Sequence, residues 1–150
     1  MAETVWAREI LAQECGGTFE ALWEGVIAAT NKLRVVAAFD VGEVVLGRWP
    51  AAETLSQGIQ VRKPAGPDQV LAGSGWRDWV RGFESVGWEL AQLEVRHNRF
   101  ETDEARRPQR SVFYCCAHLS QASHAQRAII EGDLVVDWES APAEGRLAVV

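Results

Sequence analysis

The first apolar positions to recur with a helical period are Trp6, Ile10 and Leu11, which predict a helix from Thr4 to Cys15. Gly16-Gly17 is expected to stop it, and Thr18 to cap a second helix from Phe19 to about Leu33. The stripe Phe19, Leu22, Trp23, Val26, Ile27 follows the i, i+3, i+4, i+7, i+8 pattern of one buried face. The Gly-Gly joint predicts that the two helices fold as a pair. Strand formers dominate from Arg34 onward. Val35 to Phe39 and Glu43 to Trp49 flank Asp40-Val41-Gly42 and read as a hairpin closed off by Pro50. Thr54 to Val61 is a candidate third strand. Lys63 to Gly75, with two prolines and three glycines, reads as a loop. A third helix is then expected, with Ser74 as its cap, Trp76, Trp79, Val80 and Phe83 as its apolar stripe, and Gly87 at its end.

The last third of the chain alternates with a period of two. Trp88 to Glu101, Ser111 to Leu119 and Gln126 to Glu139 predict three antiparallel strands, each with one buried face. The apolar rows are Ala91, Leu93, Val95; Phe113, Cys115, Ala117, Leu119; and Ala128, Ile130, Gly132, Leu134, Val136, Trp138. Matching core to core puts His97 near Cys115 and Glu94 near His118, then Cys115 near Ile130 and His118 near Arg127. Glu94, Arg96, Asn98, Tyr114, His118, Arg127, Glu131 and Asp133 then share the face away from the core.

Helices gathered on one face of a curved, mainly antiparallel sheet make an α+β fold. This element order resembles the cone-shaped NTF2-like (SnoaL-like) fold, in which helices cover the concave side of a bent sheet. A cystatin-like roll is the alternative. The resemblance is one of order only, carries no residue roles, and implies no activity, because such folds host enzymes, binders and scaffolds alike. Residues 1–140 are read as one α+β domain. Pro142 and Gly145 introduce a tail over 141–150, in which Leu147 to Val150 could add a short edge strand.

Composition narrows the function classes. A formal net charge of −6 argues against a general nucleic-acid binder. The one dense basic run, Arg106, Arg107 and Arg110, follows Glu101, Asp103 and Glu104 and reads as a solvated loop. The first residues lack the pattern of a signal peptide, and no stretch approaches the ~20 apolar residues of a membrane span. A cytoplasmic protein is therefore expected. Three cysteines without CxxC fit reduced thiols there. No histidine spacing suits a metal, and no GxSxG, Walker or GxGxxG motif occurs, so neither metal nor cofactor is expected.

The seven tryptophans remain: Trp6, Trp23, Trp49, Trp76, Trp79, Trp88 and Trp138. Most are expected in the core, either filling it or lining a cavity. In the second case Trp76, Trp79 and Trp88 would line a pocket, with His97 as its acid/base candidate and Arg99 at its mouth for an anionic group. Otherwise His97 merely ends the core and Arg99 reaches water. The polar sheet face has three readings: a solvated surface, a subunit interface through Glu94, Arg96, Tyr114 and His118, or a Glu94–His118 catalytic pair. Two functions follow. One is a domain with a Trp-lined pocket that binds a small apolar ligand or acts as an isomerase or cyclase. The other is a non-catalytic accessory protein that assembles with itself or with a protein partner.

Overall fold

The computed structural model describes residues 2–140 and 147–149. It is an α+β arrangement of three helices and antiparallel sheets: α1 (Ala2–Ala28), α2 (Lys32–Ala38), β1 (Glu43–Arg48), β2 (Glu53–Thr54), β3 (Gln60–Val61), β4 (Ala65–Ala72), α3 (Gly73–Ser85), β5 (Glu89–Thr102), β6 (Pro108–Gln121), β7 (Gln126–Ser140) and β8 (Leu147–Val149). The main sheet has the order β5-β6-β7-β8, and β1 pairs with β4 in a separate ribbon. Of the tail expected over 141–150, only 147–149 lie within the described residues, where β8 pairs with Trp138–Ser140. No helix among the described residues is long and apolar enough to cross a membrane.

The first helix does not stop at Gly16-Gly17. It runs unbroken to Ala28, because Leu11, Cys15, Phe19, Leu22 and Val26 form one buried or half-buried stripe straight through the glycines. Burying that stripe outweighs a helix penalty of roughly 1 kcal/mol per glycine. Trp6 and Ile10 fall on the opposite side and are 66% and 52% exposed, so they are not the core positions their spacing suggested.

Val35 to Phe39 is likewise not a strand. Asn31 caps α2, its side chain accepting from the Arg34 amide at 3.2 Å. Leu33 and Ala37, one turn apart, are buried. Trp76 Nε1 donates to the Val36 carbonyl at 3.1 Å and ties α3 to the end of α2. The strand partner of β1 is β4, within the stretch expected to be a loop. Val44 opposite Leu71 faces inward, while Val45 opposite Val70 faces out. Thr54 to Val61 yields only the two-residue pair β2 and β3. α3 begins at Gly73 without a side-chain cap, and a Cβ there would meet the Val41 carbonyl oxygen at 2.7 Å.

Two apolar clusters lie between the helices and one face of the main sheet. The first is built on Cys15, Phe19, Val41, Phe113, Val136 and Trp138, the second on Val26, Leu33, Ala37, Val80, Leu90 and Leu119. Trp76 packs against both. Trp138 is buried and Trp76, Trp79 and Trp88 are half-buried, whereas Trp6, Trp23 and Trp49 are exposed. The tryptophans are therefore less of a core than their number suggested.

The three long strands occur as expected, on the expected faces except toward the two ends of β5, and with a register displaced by two residues. An irregularity between Leu90 and Gln92 puts Leu90 in the core opposite Leu119 and leaves Ala91, expected to be buried, exposed. His97 lies opposite Phe113 and Val95 opposite Cys115, while Cys115 lies opposite Gly132. A shift of two keeps each side chain on its face. A bulge at Asn98 then reverses the alternation of β5. Arg99 pairs with Val112 and Phe100 with Ser111, so Phe100 turns to the core side while Arg99 and Glu101 turn outward. Deleting Asn98 removes the unpaired residue and leaves Arg99 opposite Val112 and Phe100 opposite Ser111, so both faces should survive. We expect a change of less than about 1 kcal/mol in the free energy of urea unfolding, against at least about 2 kcal/mol for Phe100→Ala, which empties a place on the core side. A deletion as costly as Phe100→Ala would mean that Asn98 does more than set the alternation.

Candidate functional site

The strand bulge leaves His97 as the last residue of β5 on the core side before the alternation reverses. Its ring stacks on Phe113, with centroids 4.4 Å apart and planes 14° apart, and meets Phe100 edge-on at 6.1 Å. The Nδ1 edge faces α1 at Gly16, where a Cβ would come within 3.2 Å of it. Glycine is what lets the helix approach the ring. On the other edge, Nε2 lies 2.9 Å from Ser111 Oγ, and Trp138 Nε1 donates to the same oxygen at 2.8 Å. Ser111 is fully buried. The backbone acceptors at Arg99 and Ala12 favour a proton on the imidazole. Placing that proton on Nδ1 leaves Nε2 to accept from the Ser111 hydroxyl, and the chain Trp138–Ser111–His97 is then satisfied throughout. Burial holds the His97 pKa below its usual value, and those backbone acceptors only partly offset it.

A groove of about 500 Å³ opens between α1 and β5 over this ring. Its floor is Phe19, Val95, His97 and Phe113, and its helical wall carries Ala12, Gln13, Gly16, Gly17, Glu20 and Trp23. The glycines make the space, since a Cβ at Gly17 would touch nothing within 4 Å. Trp23 Nε1 donates to the Leu93 carbonyl at 2.9 Å, which fixes the indole at the rim.

Of the residues expected to form a pocket, His97 alone lines this groove. Trp76 and Trp79 stack at 5.6 Å and pack with Trp88 in the second cluster. Arg99 stands on the outer face of the sheet, turned there by the bulge. Ser111, Gln13 and Glu20 were not singled out from the sequence, and Trp23 and Ile27 were expected on a buried helix face but are 38% and 55% exposed. Ser111 had a signal, because it continues the apolar row of Phe113 and Cys115 and a hydroxyl there needs a partner. Gln13, Gly16 and Gly17 had none, because the helix was expected to break among them.

Glu94, Arg96, Tyr114 and His118 do share the outer face. Arg96 Nε lies 2.9 Å from Glu94 Oε1, and the guanidinium sits 4.9 Å above the Tyr114 ring. Tyr114 Oη donates to Glu131 at 3.2 Å. The register puts Glu94 beside Cys116 rather than His118, and His118 Nε2 lies 3.5 Å from Cys116 Sγ. Burial pushes the Cys15 and Cys115 thiols up to about 11, which keeps them protonated and unreactive at neutral pH. Among the described residues no group of three acidic, histidine or cysteine side chains could hold a metal.

The His97 environment has a pH signature. The unfolded chain takes up a proton at His97 near its ordinary pKa of 6.5, whereas the folded chain resists it. Stability from this residue is therefore complete above pH 6.5 and falls as the pH drops toward the folded value. Urea midpoints measured from pH 7.5 to 5.5 should fall more steeply for the parent than for His97→Gln. Equal slopes would mean that the folded imidazole titrates freely. The chain matches no family model, no curated protein and no solved structure, so the geometry of the groove is what a functional reading can rest on.

Proposed function

We propose that this is a small-ligand-binding domain that holds a compact, mainly apolar molecule in the groove between α1 and β5. The observation that carries this reading is an aromatic and aliphatic floor facing a helix that has no side chains at Gly16 and Gly17. Its volume falls within the range of small-molecule sites. Because both edges of the His97 ring already face partners within the fold, binding is favoured over an isomerase or cyclase role for that imidazole. The element order supports an NTF2-like cone as the architecture, and three free thiols support a cytoplasmic setting. Ligand binding should change Trp23 fluorescence and raise the melting temperature. Gly17→Leu should abolish both responses while leaving the helix formed, since the leucine would occupy the groove. A ligand that binds this variant unchanged would place its site elsewhere.

A second reading, self-association, rests on a different observation. Large apolar side chains stay in water on three separate parts of the described residues. Trp6 and Ile10 on α1, Val45 and Val70 on the ribbon, and Ile129 and Val135 on the outer sheet face are among the apolar groups left in water. Sedimentation velocity from 1 to 100 µM should show a species of at least twice the chain mass. A monomer throughout would remove this reading without touching the groove.

A further inference from the structure

The charges lining the groove are one-sided. Among the described residues Glu20 is the only ionisable side chain besides His97 in its lining, and no lysine or arginine lines it. Basic side chains on the same helix and strand are engaged or turned elsewhere. Arg8 donates to the Phe100 carbonyl at 2.9 Å, and Arg96 and Arg99 lie across the sheet on its outer face. Glu20 and Trp23 are three residues apart on α1 and therefore neighbours on its surface. The indole, held by its N–H to Leu93, presents a fixed aromatic face beside that carboxylate. Gln13 adds an uncharged polar group at the same helical wall.

We infer that the groove takes an amphiphilic organic cation, a protonated amine on a compact aromatic or branched aliphatic body. The body would lie on Phe19, Val95 and Phe113, and the ammonium would stand at the rim between the Glu20 carboxylate and the Trp23 ring. An ammonium there gains a charge-assisted hydrogen bond and a cation–π contact. A carboxylate in its place would meet Glu20 with no compensating cation. His97 contributes no countercharge for an anion, because burial keeps its imidazole neutral at pH 7. The exposure of Glu20 limits the preference, since surface ion pairs are screened.

This inference rests on the proposed ligand groove, and a matched probe series separates the two. The probes are 2-naphthylmethylamine, 2-naphthylmethanol and 2-naphthoate, which share one apolar body and differ in charge. Calorimetry with the full chain at pH 7 should place the amine about 3- to 10-fold tighter than the alcohol, with the carboxylate weakest. Glu20→Gln should weaken the amine toward the alcohol, short of equality because the Trp23 ring remains, and should weaken the alcohol less than the amine. Raising the salt from 50 to 500 mM should weaken the amine alone. If all three bind alike, or if Glu20→Gln has no effect on the amine, the charge assignment is overturned and the groove stands. If none binds to a protein with an intact thermal transition, both fall.

Discussion

The fully buried hydroxyl of Ser111 joins Trp138 on β7 to His97 on β5, and the His97 ring in turn presses against Gly16 on α1. Three strands and the long helix thus meet at one hydrogen-bonded chain. A buried polar group without a partner costs about 1–3 kcal/mol, so alternative registers that separate these residues are disfavoured beyond their loss of apolar contact. The bulge at Asn98 belongs to the same constraint. It lets β5 present His97 to the core and then turn Phe100, rather than Arg99, toward the same side.

That arrangement also makes the groove. A ring that must approach the helix needs glycine at position 16, and Gly17 beside it leaves open space in the helical wall. The glycines, which looked like a chain break, serve instead as a close contact and a gap within one helix. The aromatic floor and the acidic group on the groove's helical wall follow from residues whose positions are set by the core stripe of α1. The tryptophans divide the labour: Trp138 completes the polar chain, Trp76, Trp79 and Trp88 pack α3 against the body, and Trp23 alone stands over the groove.

The amount of apolar surface left in water gives the molecule a second character. The N-terminal part of α1 directs Trp6 and Ile10 away from the body, and the outer sheet face mixes ion pairs with Ile129 and Val135. Cross-strand pairs such as Arg110 with Asp137, at 2.6 and 3.0 Å, give that face order without covering it. The groove and the outer sheet face lie on opposite sides of the main sheet, whereas Trp6 and Ile10 share α1 with the groove.

The α+β class, the three long strands, most of their faces and the third helix were legible in the sequence, because period-two and 3.6-residue patterns report burial directly; the faces failed at Ala91 and beyond Asn98, where irregular pairing breaks the period. Sequence pattern misplaced the register by two residues, since a shift of that size leaves every side chain on its face. It misjudged Gly16-Gly17 and Val35–Phe39, where local preference favoured a break and a strand. Only the tertiary structure decided these points, because burial of Leu11, Cys15, Phe19 and Val26 against the sheet, and of Leu33 and Ala37 beneath α3, outweighs those preferences. The groove was beyond the reach of sequence pattern for the same reason. Its residues come from one helix and two strands brought together by a bulge and a glycine contact, neither of which leaves a periodic trace.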